Sequence, residues 1–74
     1  SPPATLAGMP VARVLANDGV KYMLQDDSWL LIRPSGTEPV LRMYAEARSA
    51  IMVTSLLQAG ETLVPPPGKL NGSH

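Results

Sequence analysis

The sequence has no cysteine and no phenylalanine, and its one histidine is the final residue, His74. Without cysteine there is no disulfide framework, no Cys-based zinc site and no thiol nucleophile. A histidine at the free end, beside Gly72 and Ser73, reads as a chain terminus rather than a catalyst. Acid–base chemistry by an imidazole held inside the fold is therefore excluded. An excess of charge is lacking too. Six Lys/Arg balance six Asp/Glu, for a formal net charge of zero. Bulk binding to nucleic acid or to an anionic membrane needs a cationic surplus, so neither partner is expected. No apolar run is long enough to span a bilayer, and no charged-then-apolar leader opens the chain. A soluble, cytoplasmic protein is the expectation.

What is present suits a small aliphatic globule. Hydrophobic residues make up 45% of the 74, with only Trp29, Tyr22 and Tyr44 aromatic. That length allows one domain, which buries roughly 60% of its unfolded surface and encloses no deep active site. Residues 1–5, opening Ser1-Pro2-Pro3, and residues 65–74, led by Pro65-Pro66-Pro67-Gly68, are expected to be disordered ends. The domain is expected over residues 6–64.

Within that body, Val11–Ala16 is apolar and partly β-branched and reads as a strand. Asn17-Asp18-Gly19 marks a tight turn. Val20, Tyr22 and Leu24 then alternate with Lys21, Met23 and Gln25, the period of a half-buried strand. A second turn is expected at Asp26-Asp27-Ser28. The continuous run Trp29–Ile32 suggests a strand covered on both faces, with Trp29 in the core. Val40–Glu46 alternates again, with Leu41, Met43 and Ala45 opposite Arg42, Tyr44 and Glu46. Ser49 is a good N-cap, Met52, Val53, Leu56 and Leu57 recur at helical spacing, and Gly60 fits the residue that ends the helix. The fold class is thus α+β: a four-stranded antiparallel sheet with one helix packed on one face. Such thin cover suggests a helix missing before the first strand.

The chemistry concentrates in Arg33-Pro34-Ser35-Gly36-Thr37-Glu38-Pro39 and the nearby Arg42. Ser35 and Thr37 bring hydroxyls, and Gly36 tolerates left-handed dihedrals and lets a ligand approach the backbone. Successive amides around Ser35, Gly36 and Thr37 can turn inward as an anion nest. Arg33 ends one strand and Arg42 begins the next, so both are expected at one mouth. Two guanidinium forks beside a hydroxyl-rich loop suit a phosphate dianion. The plainer reading is a simple turn, with the arginines in solvent or paired with Glu38 and Glu46.

The stretch Trp29–Ala47, WLLIRPSGTEPVLRMYAEA, resembles the phosphate-binding signature of the C-terminal (fourth) domain of the α-D-phosphohexomutases, as does Asp18-Gly19-Val20-Lys21 ahead of it. Among subgroups it looks most like the phosphoglucomutase/phosphomannomutase type. Amino-sugar mutases carry close variants of the loop. The resemblance implies a TATA-binding-protein-like α+β fold. It also implies a parent isomerase of four domains, in which a phosphoserine and a Mg2+ ion come from the other three. Carried over, Arg33, Ser35, Gly36 and Thr37 would bind the substrate's phosphate directly, with Arg42 a second cation at the rim. Glu38 would be accessory, as a structural partner of Arg33 or Arg42 or as a hydroxyl contact. The expected partners are a hexose phosphate and the other three domains. No catalytic residue, metal or cofactor is expected in this chain, which should be inactive alone. Rival readings are a free-standing module for phosphate-bearing ligands and a nucleic-acid binder, which would need a basic sheet face. Here Arg13, Lys21 and Arg42 look diluted by acids.

Overall fold

The computed structural model describes residues 3–64. The alternating stretches become strands: β1 (Thr5–Leu6), β2 (Met9–Asn17), β3 (Gly19–Leu24), β4 (Trp29–Pro34) and β5 (Leu41–Glu46), followed by helix α1 (Ala50–Leu63). Each strand pairs antiparallel with its chain neighbour, giving one sheet in the order β1-β2-β3-β4-β5. The α+β architecture with a helix on one face is as expected, but the strands number five, not four. β1 is two residues long, too short to show a period, and yet its Leu6 is buried in the core. Ala7 and Gly8, at φ 52° and 79°, reverse the chain after it. Thr5 pairs with Pro10, and the Ala4 carbonyl accepts from the Val11 amide at 2.9 Å. The sheet therefore begins inside the segment expected to be a loose end. Residues 1–2 and the Pro-rich tail 65–74 lie outside the described residues.

Alternation decides what is buried. Leu24, Leu30 and Ile32 face α1 and join Leu6 and Leu56 in the core, with Met43 and Met52 packed against them as gap-fillers. The run in β4 is covered on one face only. Leu30 is wholly buried, whereas Trp29 and Leu31 are half-buried on the helix-free face. Trp29 is thus not a core residue. Helix α1 starts where Ser49 Oγ accepts from the Met52 amide at 3.1 Å, which satisfies an otherwise unpaired first-turn donor. It does not stop at Gly60. The helix runs on to Leu63, and Gly60 is buried inside it. A Cβ there would lie 2.9 Å from Met43 Sδ and 3.2 Å from Leu30 Cδ2, so glycine is present to let the helix sit close on β4 and β5.

Two details of β2 and β3 set which side chains reach the site. The register of β2 shifts between Val11 and Arg13, which pair with Leu24 and Met23 respectively. Residues two apart normally share a face. This bulge instead sends Val11 towards the core and Arg13 to the helix-free face. At the other end of β2, Asn17 pairs with Gly19 and leaves Asp18 alone at the hairpin tip. The β3–β4 turn, at the opposite end of the sheet from that tip, is closed on itself. Asp26 Oδ1 accepts from the Ser28 amide at 3.0 Å and from the Ser28 hydroxyl, and Ser28 is buried. These bonds, the hydroxyl's first, hold the Asp26 carboxyl below its ordinary value of 3.8. Asp27, at φ 72°, completes the turn.

Candidate functional site: the arginine pair and the loop between β4 and β5

The register of β4 and β5 makes Arg33 and Arg42 direct Cα partners. Side chains opposite each other in an antiparallel pair leave the sheet on the same face, with Cβ atoms about 5 Å apart. The structure thus brings the two arginines together at one end of the sheet, on the face away from α1. Like charges so placed disfavour the pair, and an anion between the two guanidinium groups would remove that cost. Both side chains are solvent-exposed. Arg33 Nη2 lies 3.4 Å from Asp18 Oδ2, at the tip of the β2–β3 hairpin. Among the described residues this is the one ion pair within bonding range, and Arg42 has none.

The loop between the arginines is drawn in on Ser35. The Ser35 amide donates to the Val40 carbonyl at 2.9 Å, closing the loop at its neck. The amides of Thr37 and Glu38 both donate to Ser35 Oγ at 3.3 Å. Of the three amides expected to form a nest, that of Ser35 is used at the neck, and Thr37 is joined by Glu38 instead. Two amides converge on one point, and a hydroxyl oxygen occupies it. Bonds of this length are weak, so an anionic oxygen can compete for the same donors. Gly36 is not in the left-handed region, and nothing lies within 4 Å of where its Cβ would be. Turn geometry does not require glycine there. The open space is what a ligand pressed onto the backbone would use. The Thr37 side chain is exposed beside it.

Glu38 does not pair with either arginine. Its contribution to the loop is its amide, and the acid that meets Arg33 is Asp18. Glu46 is also engaged elsewhere, accepting from Trp29 Nε1 at 3.0 Å across the strands. Lys21 Nζ lies 4.4 Å from the centre of the Trp29 ring, a cation–π contact. Register places Arg13, Lys21, Arg33 and Arg42 on the helix-free face, where Glu46 is the acid among the strand residues. That face is more basic than the sequence suggests, because pairing register decides which charges share it. Asp18 is the neighbour that sequence reasoning treated only as part of a turn. Its distance from Arg33 along the chain hid the contact.

Residues 2–59 match the family model described as phosphoglucomutase/phosphomannomutase, C-terminal domain. The chain belongs to this family. The chain is 49% identical over 53 residues to a phosphoglucosamine mutase of Methanococcus aeolicus, covering 72% of this chain and 12% of that protein. It is 38% identical over 61 residues to a phosphoglucomutase/phosphomannomutase of Thermococcus kodakarensis, covering 82% and 13% respectively. A phosphopentomutase of the same organism is 54% identical over 37 residues, half of this chain and 8% of the relative. The chain spans about an eighth of the length of the first two relatives. No helix among the described residues is long and apolar enough to cross a membrane.

Proposed function

We propose that this mutase C-terminal domain holds the phosphate of a sugar phosphate while the rest of a phosphohexomutase transfers a phosphoryl group between the sugar's hydroxyls. The observation that carries the reading is the direct cross-strand pairing of Arg33 with Arg42, beside a loop whose Thr37 and Glu38 amides converge on one point. Arg33 and Arg42 supply charge-assisted bonds from two sides of a dianion. The loop amides and the Ser35 and Thr37 hydroxyls supply further donors, and Gly36 leaves room for the phosphate against the backbone. Their work is orientation and charge neutralisation, which fixes the reacting end of the sugar at a set distance. Glu38 would repel the dianion, so its carboxylate serves a sugar hydroxyl.

The parent would be an intramolecular phosphotransferase of the isomerase class, with three further domains as partners of this one. The antiparallel sheet with its single helix supports reading the fold as TATA-binding-protein-like. By the resemblance, the Mg2+ of such an enzyme would be held in the other domains, and no step here runs through it. The relatives named phosphoglucosamine mutase favour an amino-sugar phosphate as a second reading of the substrate. The loop geometry is common to both, because it addresses the phosphate and not the sugar.

Amide NMR titration of the chain with inorganic phosphate, glucose 1-phosphate and glucosamine 1-phosphate tests the reading. Shifts confined to residues 33–38 and Arg42, alike for all three ligands, are expected. Shifts centred on the basic strand residues Arg13 and Lys21, or no shifts at the loop, would overturn it. A coupled assay of glucose 1-phosphate conversion by the chain alone should read zero.

A further inference from the structure

We infer that the Asp18–Gly19 hairpin tip is the positioning element for Arg33, setting its guanidinium group before any phosphate arrives. The inference rests on the reading of Arg33 as a phosphate ligand and deepens it. Gly19, at φ 109°, lies flat against the end of β4. A Cβ there would fall 2.6 Å from the Ile32 carbonyl oxygen and 2.7 Å from Arg33 Cβ. Glycine is required on both counts, and its absent side chain is what lets the tip touch Arg33. One residue earlier, Asp18 Oδ2 meets Arg33 Nη2 at 3.4 Å. The carboxylate uses one nitrogen of the fork and leaves the remaining donors for a ligand.

The direction of the pull matters. In the sheet, β4 lies between β3 and β5, so Asp18 approaches Arg33 from the side opposite Arg42. Attraction to Asp18 and repulsion from Arg42 act in the same sense and hold the two guanidinium groups apart. The gap between them is where a dianion can accept from both. The Asp18 and Arg33 side chains are 82% and 44% exposed, and ion pairs in such settings add little to stability. The contact therefore acts by restricting the rotamers of Arg33, which reduces the ordering cost when phosphate binds. Asp18 is a positioning residue, since it reaches the phosphate only through Arg33.

The test compares wild type, D18A, D18N, R33A and the D18A/R33A double variant of the 74-residue chain. Two readouts are taken: affinity for inorganic phosphate, and the motion of the Arg33 Nε–Hε group without ligand. D18A should weaken phosphate binding about two- to five-fold, the range an exposed ion pair supports. D18N, which keeps an acceptor oxygen, should recover part of the loss. In the R33A background D18A should have no further effect, an outcome a merely structural role would not give. Without phosphate, the Arg33 side chain should be restricted in wild type and freed in D18A.

Equal or tighter phosphate binding by D18A would overturn the inference, because Asp18 would then be a mere competitor for Arg33. So would a D18A loss that persists unchanged in the R33A background. If wild type binds no phosphate, the phosphate reading fails, and the ligand-free motion of Arg33 still decides whether Asp18 holds it. G19A gives a second check where it folds, with displaced Arg33 resonances and weaker phosphate binding than D18A.

Discussion

The two ends of the sheet use the same chemical devices to opposite ends. At the β3–β4 turn a carboxylate and a serine satisfy each other: Asp26 accepts from the amide and hydroxyl of Ser28, and Ser28 is buried. At the other end a serine hydroxyl again gathers backbone amides, those of Thr37 and Glu38, but by long bonds in the open. Arg33 and Arg42 stand beside it with a single exposed ion pair between them and any acid. A closed turn spends its polar groups on holding the chain in place. An open one keeps donors that a ligand can claim, and it tolerates the repulsion of two cations that no folding requirement explains. On the proposed reading, the difference separates polar residues that serve the fold from those that serve a ligand.

The sharpest way to break this comparison is R33A. It should weaken phosphate binding about ten- to a hundred-fold, the range of a charge-assisted bond lost from a site. Its unfolding midpoint should stay near that of wild type, because an exposed arginine in a weak ion pair contributes little. A large stability loss with unchanged affinity would reverse the roles assigned to the two ends.

The converse experiment is S28A. Removing a buried hydroxyl that donates to Asp26 should lower the thermal midpoint by about 4–8 °C, as expected for one lost hydrogen bond in a domain of this size. Phosphate affinity should not move.

The smallest effect is in acid. The folded Asp26 carboxyl sits below 3.8, so it favours the folded state above its unfolded value. That contribution is lost as pH falls through the folded value. D26N should lower stability slightly near neutral pH, where the Asp26 contribution is fully present, and flatten the acid limb of the stability profile. Chemical denaturation at a series of pH values reads this directly.

Much of this contrast was legible in the sequence where the signal is local. The alternation of Tyr22 and Leu24 with Lys21 and Met23, the Ser49 cap and the loop with its two arginines need only neighbours a few residues away. The misreadings all depend on what lies across the sheet. β1 is too short to carry a period, and Leu6 is buried only because β2 folds back beside it. Gly60 looks like a helix terminator until Met43 and Leu30 are seen pressing on its Cα. The apolar run of Trp29–Ile32 suggests burial on both faces, but α1 covers only one, and Trp29 is claimed by Glu46 and Lys21 instead. The partner of Arg33 was missed for the same reason. Glu38 is close to it in the chain, and Asp18 is close to it in space.

The strictly sequential strand order has a further consequence, for how quickly the arginine end of the sheet can form. Each strand finds its partner through a short connection, the longest being the loop from β4 to β5. Loop closure therefore costs little entropy at each step, and the topology belongs with the faster-folding mixed domains. The Asp18 tip, Arg33 and Arg42 all sit on the two adjoining hairpins β2–β3 and β4–β5, joined by the pairing of β3 with β4. The arginine pair and its acidic neighbour can thus be brought into register as the meander zips up, before α1 docks to complete the core.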